Sequence, residues 1–464
     1  MPSKVDTGHA HSLPGTHSDA LLSRTGNLTS GLPFLVFWAV FAWIFYLTDR
    51  ISPAYFGIGV DNFWFDGDIP RYICQSVDAL ANDHWRNKVH PLFSLLVWPL
   101  PNFLHELGVD LILAMRMQIA LVCAIGMLFL YLGVRALGMP VVLAVMLVAV
   151  ASTSASVMTW FTVAESYPYT FAALTLMFYM LARSTTQPSL TWHWAAGIGL
   201  AFAVTISNIA LAVLIAIQAI KPRRVVWAVL LAVAMVAVLV VAQRLVFPSS
   251  GIFFLPTALQ GESEFMRELT PARAREVLTI VLGGSFIFPQ VREVASGSER
   301  ALTVQHASMQ FDAIPTLGLI LLGILYVQGF YLLARRLKGA LRTIPSGDGP
   351  SLREPAALLA VPVLGGLAFL LALHSVYGKE TFLYSGSFLP LLMMVICVAL
   401  GASWVRRYRL AIPILACLLA VNVLHNTAAF ERAVTQLHDA ARKPLTQKML
   451  DRNTCAFVKR NLLD

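Results

Sequence analysis

Ten apolar stretches recur along the chain, at Leu32–Thr48, Leu111–Leu132, Met139–Ala155, Tyr167–Ala182, Ala195–Ile220, Val225–Phe247, Ile314–Ala334, Ala356–Leu373, Phe388–Trp404 and Leu410–Leu424. Several approach the roughly 20 residues that a helix needs to cross a bilayer. Over 464 residues the chain is 57% hydrophobic and only 13% charged, about half the charge of an ordinary soluble chain. No soluble fold of this size hides so much apolar surface. A soluble enzyme, a nucleic-acid-binding domain and a disordered chain are therefore excluded. Lipid requires each backbone polar group to be bonded within its own segment, so the expected fold class is an all-α polytopic membrane protein.

The formal net charge of +9 reads as a topology signal rather than as affinity for nucleic acid. The clusters Lys221-Pro222-Arg223-Arg224, Arg335-Arg336-Leu337-Lys338 and Arg406-Arg407-Tyr408-Arg409 mark cytoplasmic ends, and Arg135 and Arg183 fit the same side. One apolar stretch, Ala195–Ile220, separates Arg183 from Lys221. Both can lie inside only if that stretch breaks near Ser207-Asn208 into two short helices that enter and return, with Asn at the tip of the turn. The expectation is then about 11 transmembrane helices, with the N-terminus inside.

Three regions follow. Residues 1–31 form a polar cytoplasmic tail, residues 32–424 the transmembrane module, and residues 425–464 an outer C-terminal tail. The outer loops comprise residues 49–110, Ser156–Ser166, the long segment 248–313, and Ser375–Ser387. Without a cleavable leader pattern, the first apolar segment is expected to act as an anchor. Five cysteines are scattered without metal-ligand spacing. Cys74 and Cys455 could pair only if both face an oxidising compartment.

The first outer loop carries most of the chemistry. Asp61, Asp66 and Asp68 follow the first apolar segment. Residues Ile69–Ala81 suit a helix with Pro70 in its first turn and Asp68 at its N-cap. His84, Trp85, Arg86, Lys88 and His90-Pro91 come next. The run Leu92–Leu104 then contains Pro99 and Pro101 and suits an interfacial helix. In the long loop, Thr270 and Pro271 mark the start of another helix, ended by Gly283-Gly284.

Three motifs here, Asp68-Ile69-Pro70-Arg71-Tyr72, Asn82-Asp83-His84-Trp85 and His90-Pro91-Leu92, resemble the first outer loop of the GT-C superfamily of polytopic glycosyltransferases. That superfamily includes the protein O-mannosyltransferases and the lipid A aminoarabinose transferases. Its members carry a D-E-x-R-Y-like segment, a G-D-W-like turn and a K-P-P-L or H-P-P-L run. Here Ile69 and Pro70 stand where a second acid is usual, and one proline follows His90. Further resemblances are Ala164-Glu165-Ser166 before the next helix, the Thr205–Asn208 break, and Leu383–Pro390 against an R-Y-x-x-P segment that here lacks its arginine. The likeness covers roughly residues 32–220, and beyond that only the architecture.

The resemblance implies a GT-C fold in a bacterial inner membrane, with the active site facing the periplasm. It implies an enzyme that moves a sugar from a polyprenyl-phosphate donor to a hydroxyl of a lipid or glycan acceptor. Such a reaction needs a general base near the acceptor and positive charge near the leaving phosphate. Asp68 is the first candidate for the base, with Asp66 second and Asp61 third, and Glu165 either orients the acceptor or shares a metal with Asp68. Arg71, His90, Arg116, Lys379 and Arg244 are the candidates for the phosphate; Arg116 draws attention because it lies inside an apolar segment. Tyr72, His84, Trp85 and Tyr384 are expected against substrate. No metal or other cofactor is indicated, and the expected partners are the lipid-linked sugar, the acceptor and membrane lipids. Alternative readings are a lipid-linked oligosaccharide flippase or an O-antigen polymerase or ligase. A flippase predicts internal repeats and mid-membrane charges, neither of which the sequence displays.

Overall fold

The computed structural model describes residues 31–52, 63–65, 67–187, 189–252, 261–296, 299–304, 312–342, 354–378, 380–401 and 404–442. Apart from one hairpin the described chain is helical, as the apolar segments require. Seven helical stretches are long and apolar enough to cross a membrane: Leu32–Ile51, Leu111–Ala136, Pro222–Val246, Ala313–Arg342, Pro355–Val376, Thr381–Gly401 and Arg409–Ala441. These carry α1 (Leu32–Ile51), α5 (Leu111–Ala136), α11 (Pro222–Val246), α13 (Ala313–Arg342), α14 (Pro355–Val376), α15 (Ser385–Gly401) and the pair α16 (Trp404–Val421) and α17 (Thr427–Ala441). Between them lie the shorter helices α6 (Val141–Ser152), α7 (Ala155–Trp160), α8 (Tyr167–Ser184), α9 (Thr191–Val204) and α10 (Asn208–Ala216). The loop segments hold α2 (Ile69–Val77), α3 (Phe93–Val97), α4 (Pro99–Glu106), α12 (Pro271–Thr279) and the antiparallel strands β1 (Val291–Ser296) and β2 (Glu299–Val304).

Local chemistry explains the helix limits. Asp110 caps α5 by accepting the Leu113 N–H at 2.9 Å. Thr270 caps α12 by accepting the Arg273 N–H at 3.1 Å, with Pro271 at the first position, as the sequence indicates. Side-chain size sets how closely the long helices pack. A Cβ at Gly329 of α13 would collide with the Val395 carbonyl of α15, so only glycine allows this approach.

The stretch 195–220 breaks where the charge count requires it. Helix α9 ends at Val204, and α10 starts at Asn208, whose amide donates to the Thr170 hydroxyl at 3.2 Å. Arg224, at the start of α11, donates to Thr191 Oγ1 at 3.0 Å and to the Ser189 carbonyl at 2.8 Å. At their far ends Phe202 and Ala203 pack with Val236 and Val240. Helices α9 and α11 therefore run side by side in one direction, and α10 brings the chain back between them. The turn is covered rather than bare: Leu92 N–H donates to the Ala203 carbonyl at 2.9 Å and Ile206 N–H to the Val89 carbonyl at 3.2 Å.

The last apolar segment continues past Leu424. A π-turn at Asn422–Asn426 joins α16 to α17, whose Glu431 pairs with Arg50 at the end of α1 at 2.7 Å. Asn426 is fully buried and serves as a bracket. It accepts the Phe288 N–H at 2.8 Å and donates to the Thr153 and Phe286 carbonyls at 2.8 and 2.7 Å. Replacing Asn426 with alanine strands a buried N–H and two carbonyls, each costing ~1–3 kcal/mol if left unbonded. Asn426→Ala should markedly lower the melting temperature in detergent. Arg442→Ala, at an 80% exposed side chain, should leave it unchanged. Equal melting temperatures for the two variants would contradict the bracket.

Candidate functional site

The candidate site is built at the loop-rich end of the bundle, on a layer of buried aromatic rings. Phe65 sits at the centre, with ring centroids 5.5–6.2 Å from Phe382, Trp160 and Phe288. Its φ of 53° is unusual for a bulky residue. The surrounding rings hold the backbone in this strained turn. Trp64 donates to the Thr159 carbonyl at 3.1 Å, and Trp160 to the Phe382 carbonyl at 2.9 Å. Three separate loop segments are thereby locked together.

The turn delivers the chain against Glu165. At Gly67 a Cβ would stand 3.1 Å from both the Trp160 ring and the Trp64 carbonyl and 3.5 Å from Glu165 Oε1, so a larger residue is crowded out. One residue on, the Asp68 backbone N–H donates to Glu165 Oε1 at 3.0 Å, while Ser166 N–H donates to Oε2 at 3.1 Å. Glu165 is buried. Burial pushes its carboxyl up to about 8, aided by the Asp68 charge and opposed by Arg71 and the two backbone N–H groups.

Asp68 occupies the N-cap position of α2 but its side chain does not cap the helix. The carboxylate pairs instead with Arg71, one turn along. The Asp68 side chain is 35% exposed against 12% for Arg71, so the acid is the accessible member of the pair. Burial works against the Arg71 charge, but Asp68, Tyr72 and Glu165 raise its proton affinity above the ordinary value. Arg71 Nε is buried without a hydrogen-bond partner.

Tyr72 and His90 link this pair to the helix break. His90 Nδ1 lies 2.8 Å from the Val204 carbonyl at the end of α9. Only an N–H can satisfy that contact, so Nε2 is the acceptor and the Tyr72 hydroxyl donates to it at 3.3 Å. Burial, with the charges of Arg86 and Arg71, drives His90 down to about 3, and the ring is neutral. Burial also raises the Tyr72 hydroxyl, which keeps its proton. Glu165 also lines a small cavity with Tyr72, Ser76, Gln118, Tyr169 and apolar side chains. The Tyr169 hydroxyl there is buried with no partner.

Of the residues that the sequence singles out, Asp68, Arg71, Tyr72, His90 and Glu165 come together. Asp66, Asp61 and Lys379 lie outside the described residues. His84 is fully buried, with Nδ1 2.7 Å from the Ser94 hydroxyl and Nε2 2.8 Å from the Asp78 carbonyl, and it acts as a brace within the loop. Arg116 is engaged elsewhere, pairing with Asp49 at 2.7 Å and lying over the Phe45 ring. Arg244 is exposed near the end of α11. Tyr384 stacks on His374 at 4.0 Å. Trp85 is exposed beside Arg86 and Lys88.

Arg86 and Lys88 are nearly buried, with side chains 12% and 13% exposed. Both converge on Glu262, together with Tyr377, a grouping that sequence reading misses because Arg86 and Glu262 are 176 positions apart. Cys74, on α2, is disulfide-bonded, whereas Cys123, Cys397 and Cys417 are free. The remaining cysteine, Cys455, lies outside the described residues. Among the described residues no group of three or more His, Cys, Asp or Glu converges to hold a metal ion.

Compared with known proteins, the chain matches no family model, no curated protein and no solved structure.

The raised Glu165 carboxyl has a measurable consequence. The folded protein keeps a proton that the unfolded chain releases above the ordinary value of 4.5. Stability at this residue therefore falls as pH rises from 4.5 towards 8. Across that range the wild type should lose melting temperature relative to Glu165→Gln. Parallel curves for the two proteins would contradict a protonated Glu165.

Proposed function

We propose that the chain is a polytopic membrane glycosyltransferase of the GT-C type. It transfers a sugar from a polyprenyl-phosphate donor to an acceptor hydroxyl on the outer face of a bacterial inner membrane. The observation that carries this reading is the Asp68–Arg71 pair, set at the loop-rich end and braced from behind by the buried Glu165. An accessible carboxylate beside a cation supplies the two charges that the reaction needs.

In the reaction the acceptor oxygen forms a bond to the anomeric carbon, and the bond from that carbon to the lipid phosphate oxygen breaks. Asp68 takes the acceptor proton, and the phosphate leaves with the bonding electrons. Protonation of Asp68 releases the Arg71 guanidinium from its partner, so positive charge becomes available as the phosphate departs. Glu165 fixes the Asp68 backbone through its hydrogen bond, and His90 fixes Tyr72. Arg71 becomes the principal phosphate candidate of the expected set, since it is the cation that lies beside Asp68.

The proposed topology is eleven membrane helices with the N-terminus inside. It is supported by α9 and α11 running in parallel with α10 returning between them, and by Arg135, Arg183 and Arg224 lying at the end opposite the candidate site. A disulfide at Cys74 fits an oxidising outer compartment.

Asp68→Asn should reduce release of polyprenyl phosphate from polyprenyl-phosphate-linked monosaccharides by ~10²–10⁴-fold, with expression and membrane insertion preserved. Full activity in this variant would remove the base from the proposal.

A further inference from the structure

A second charged cluster lies beside the candidate site and belongs to neither the aromatic layer nor the Asp68–Arg71 pair. Arg86 Nη1 is 2.8 Å and Lys88 Nζ 3.2 Å from the same oxygen, Glu262 Oε1, and the Tyr377 hydroxyl donates to Oε2. All three charged side chains are 11–13% exposed. One carboxylate thus serves two cations and a phenol, and the cluster keeps a net positive charge. Arg86 Nε remains buried with no partner. The Glu262 carboxylate reaches three donors and leaves Arg86 Nε unserved, whereas a phosphate brings at least one more oxygen to the same cations.

The cations are held by contacts that do not involve Glu262. Asn87, between them, donates to the Ser94 and Ser250 hydroxyls at 2.8 and 2.9 Å. Gly251 N–H donates to the His84 carbonyl at 3.2 Å. The Arg86 guanidinium lies 5.1 Å from the Phe265 ring, and Lys88 Nζ lies 4.8 Å from the exposed Trp85 ring. On the other side, Gly378 N–H donates to the Phe265 carbonyl at 2.9 Å, and Arg267 N–H to the Val376 carbonyl at 2.8 Å, so the backbone near Glu262 is anchored too. Rotation of the Glu262 side chain alone would vacate the position between the cations. The backbone N–H of His90, the partner of Tyr72, donates to the Arg86 carbonyl at 3.3 Å, which makes the cluster continuous with the candidate site.

We propose that Arg86 and Lys88 form a phosphate-binding site that the Glu262 carboxylate fills and gives up to an incoming phosphate group. The inference deepens the transfer reading by giving the donor's phosphate a place to dock. It rests on that reading only for the origin of its ligand. Binding is read without turnover and with Asp68 intact, so failure here and failure of the transfer reading are separate results.

The test measures binding of dodecyl phosphate to the full chain in dodecyl maltoside micelles, with inorganic phosphate as a second probe. Glu262→Gln should tighten dodecyl phosphate binding by ~10-fold, corresponding to roughly 1.4 kcal/mol, and Tyr377→Phe by a smaller factor. Arg86→Gln and Lys88→Gln should each weaken it. The exposed control Glu106→Gln, which removes the same charge elsewhere, should change nothing. A gain confined to dodecyl phosphate identifies a lipid headgroup as the ligand. An equal gain for inorganic phosphate identifies the free anion, and either gain supports the site. Unchanged or weaker binding in both Glu262→Gln and Tyr377→Phe would overturn the proposal, as would an equal gain in Glu106→Gln.

Discussion

The hydrogen bond from the Asp68 backbone to the buried Glu165 is the contact on which the loop-rich end depends. It joins the loop after α1 to the loop before α8. It is possible only because Phe65 turns the chain in a conformation that its aromatic neighbours enforce, and because Gly67 leaves room beside Trp160. A carboxyl in that position resists ionisation, and Asp68, paired with Arg71, is the more exposed of the two acids.

Around this contact the charges are arranged in pairs. Arg71 holds Asp68, Arg116 holds Asp49, Arg273 holds Glu276, and Arg86 with Lys88 shares Glu262. Arg273 also reaches the Gly378 carbonyl at 3.0 Å and the Thr381 hydroxyl at 2.7 Å, clamping α12 to the last loop. Of these four groupings among the described residues, the Arg86–Lys88 cluster is the one with more cation than acid. That imbalance separates a structural clamp from a place where an anion can be exchanged.

Much of the bundle was legible in the sequence because lipid imposes a simple rule on composition. The break before Asn208 followed from Arg183 and Lys221 alone, since charge placement constrains the number of crossings. Asp68, Arg71, Tyr72 and His90 stood close together in one loop and so could be read as a group. The distant pairings could not be. Asp49 with Arg116 and Glu262 with Arg86 are set by tertiary packing, and no local pattern announces them. His84 looked like a substrate contact because an exposed and a buried histidine have the same neighbours in sequence. The continuation of the last span into α17 was hidden because the apolar run stops at Leu424, although the helix does not.

Whether Asp68 and its neighbours face a lipid-linked sugar phosphate is tested by an experimental structure with a polyprenyl-phosphate-linked monosaccharide bound. The expected result is the anomeric carbon within a hydrogen-bonded acceptor's reach of the Asp68 carboxylate and the phosphate between Asp68's partner Arg71 and the Arg86–Lys88 pair. A lipid phosphate bound at the opposite end of the bundle, near Arg135, Arg183 and Arg224, would contradict it.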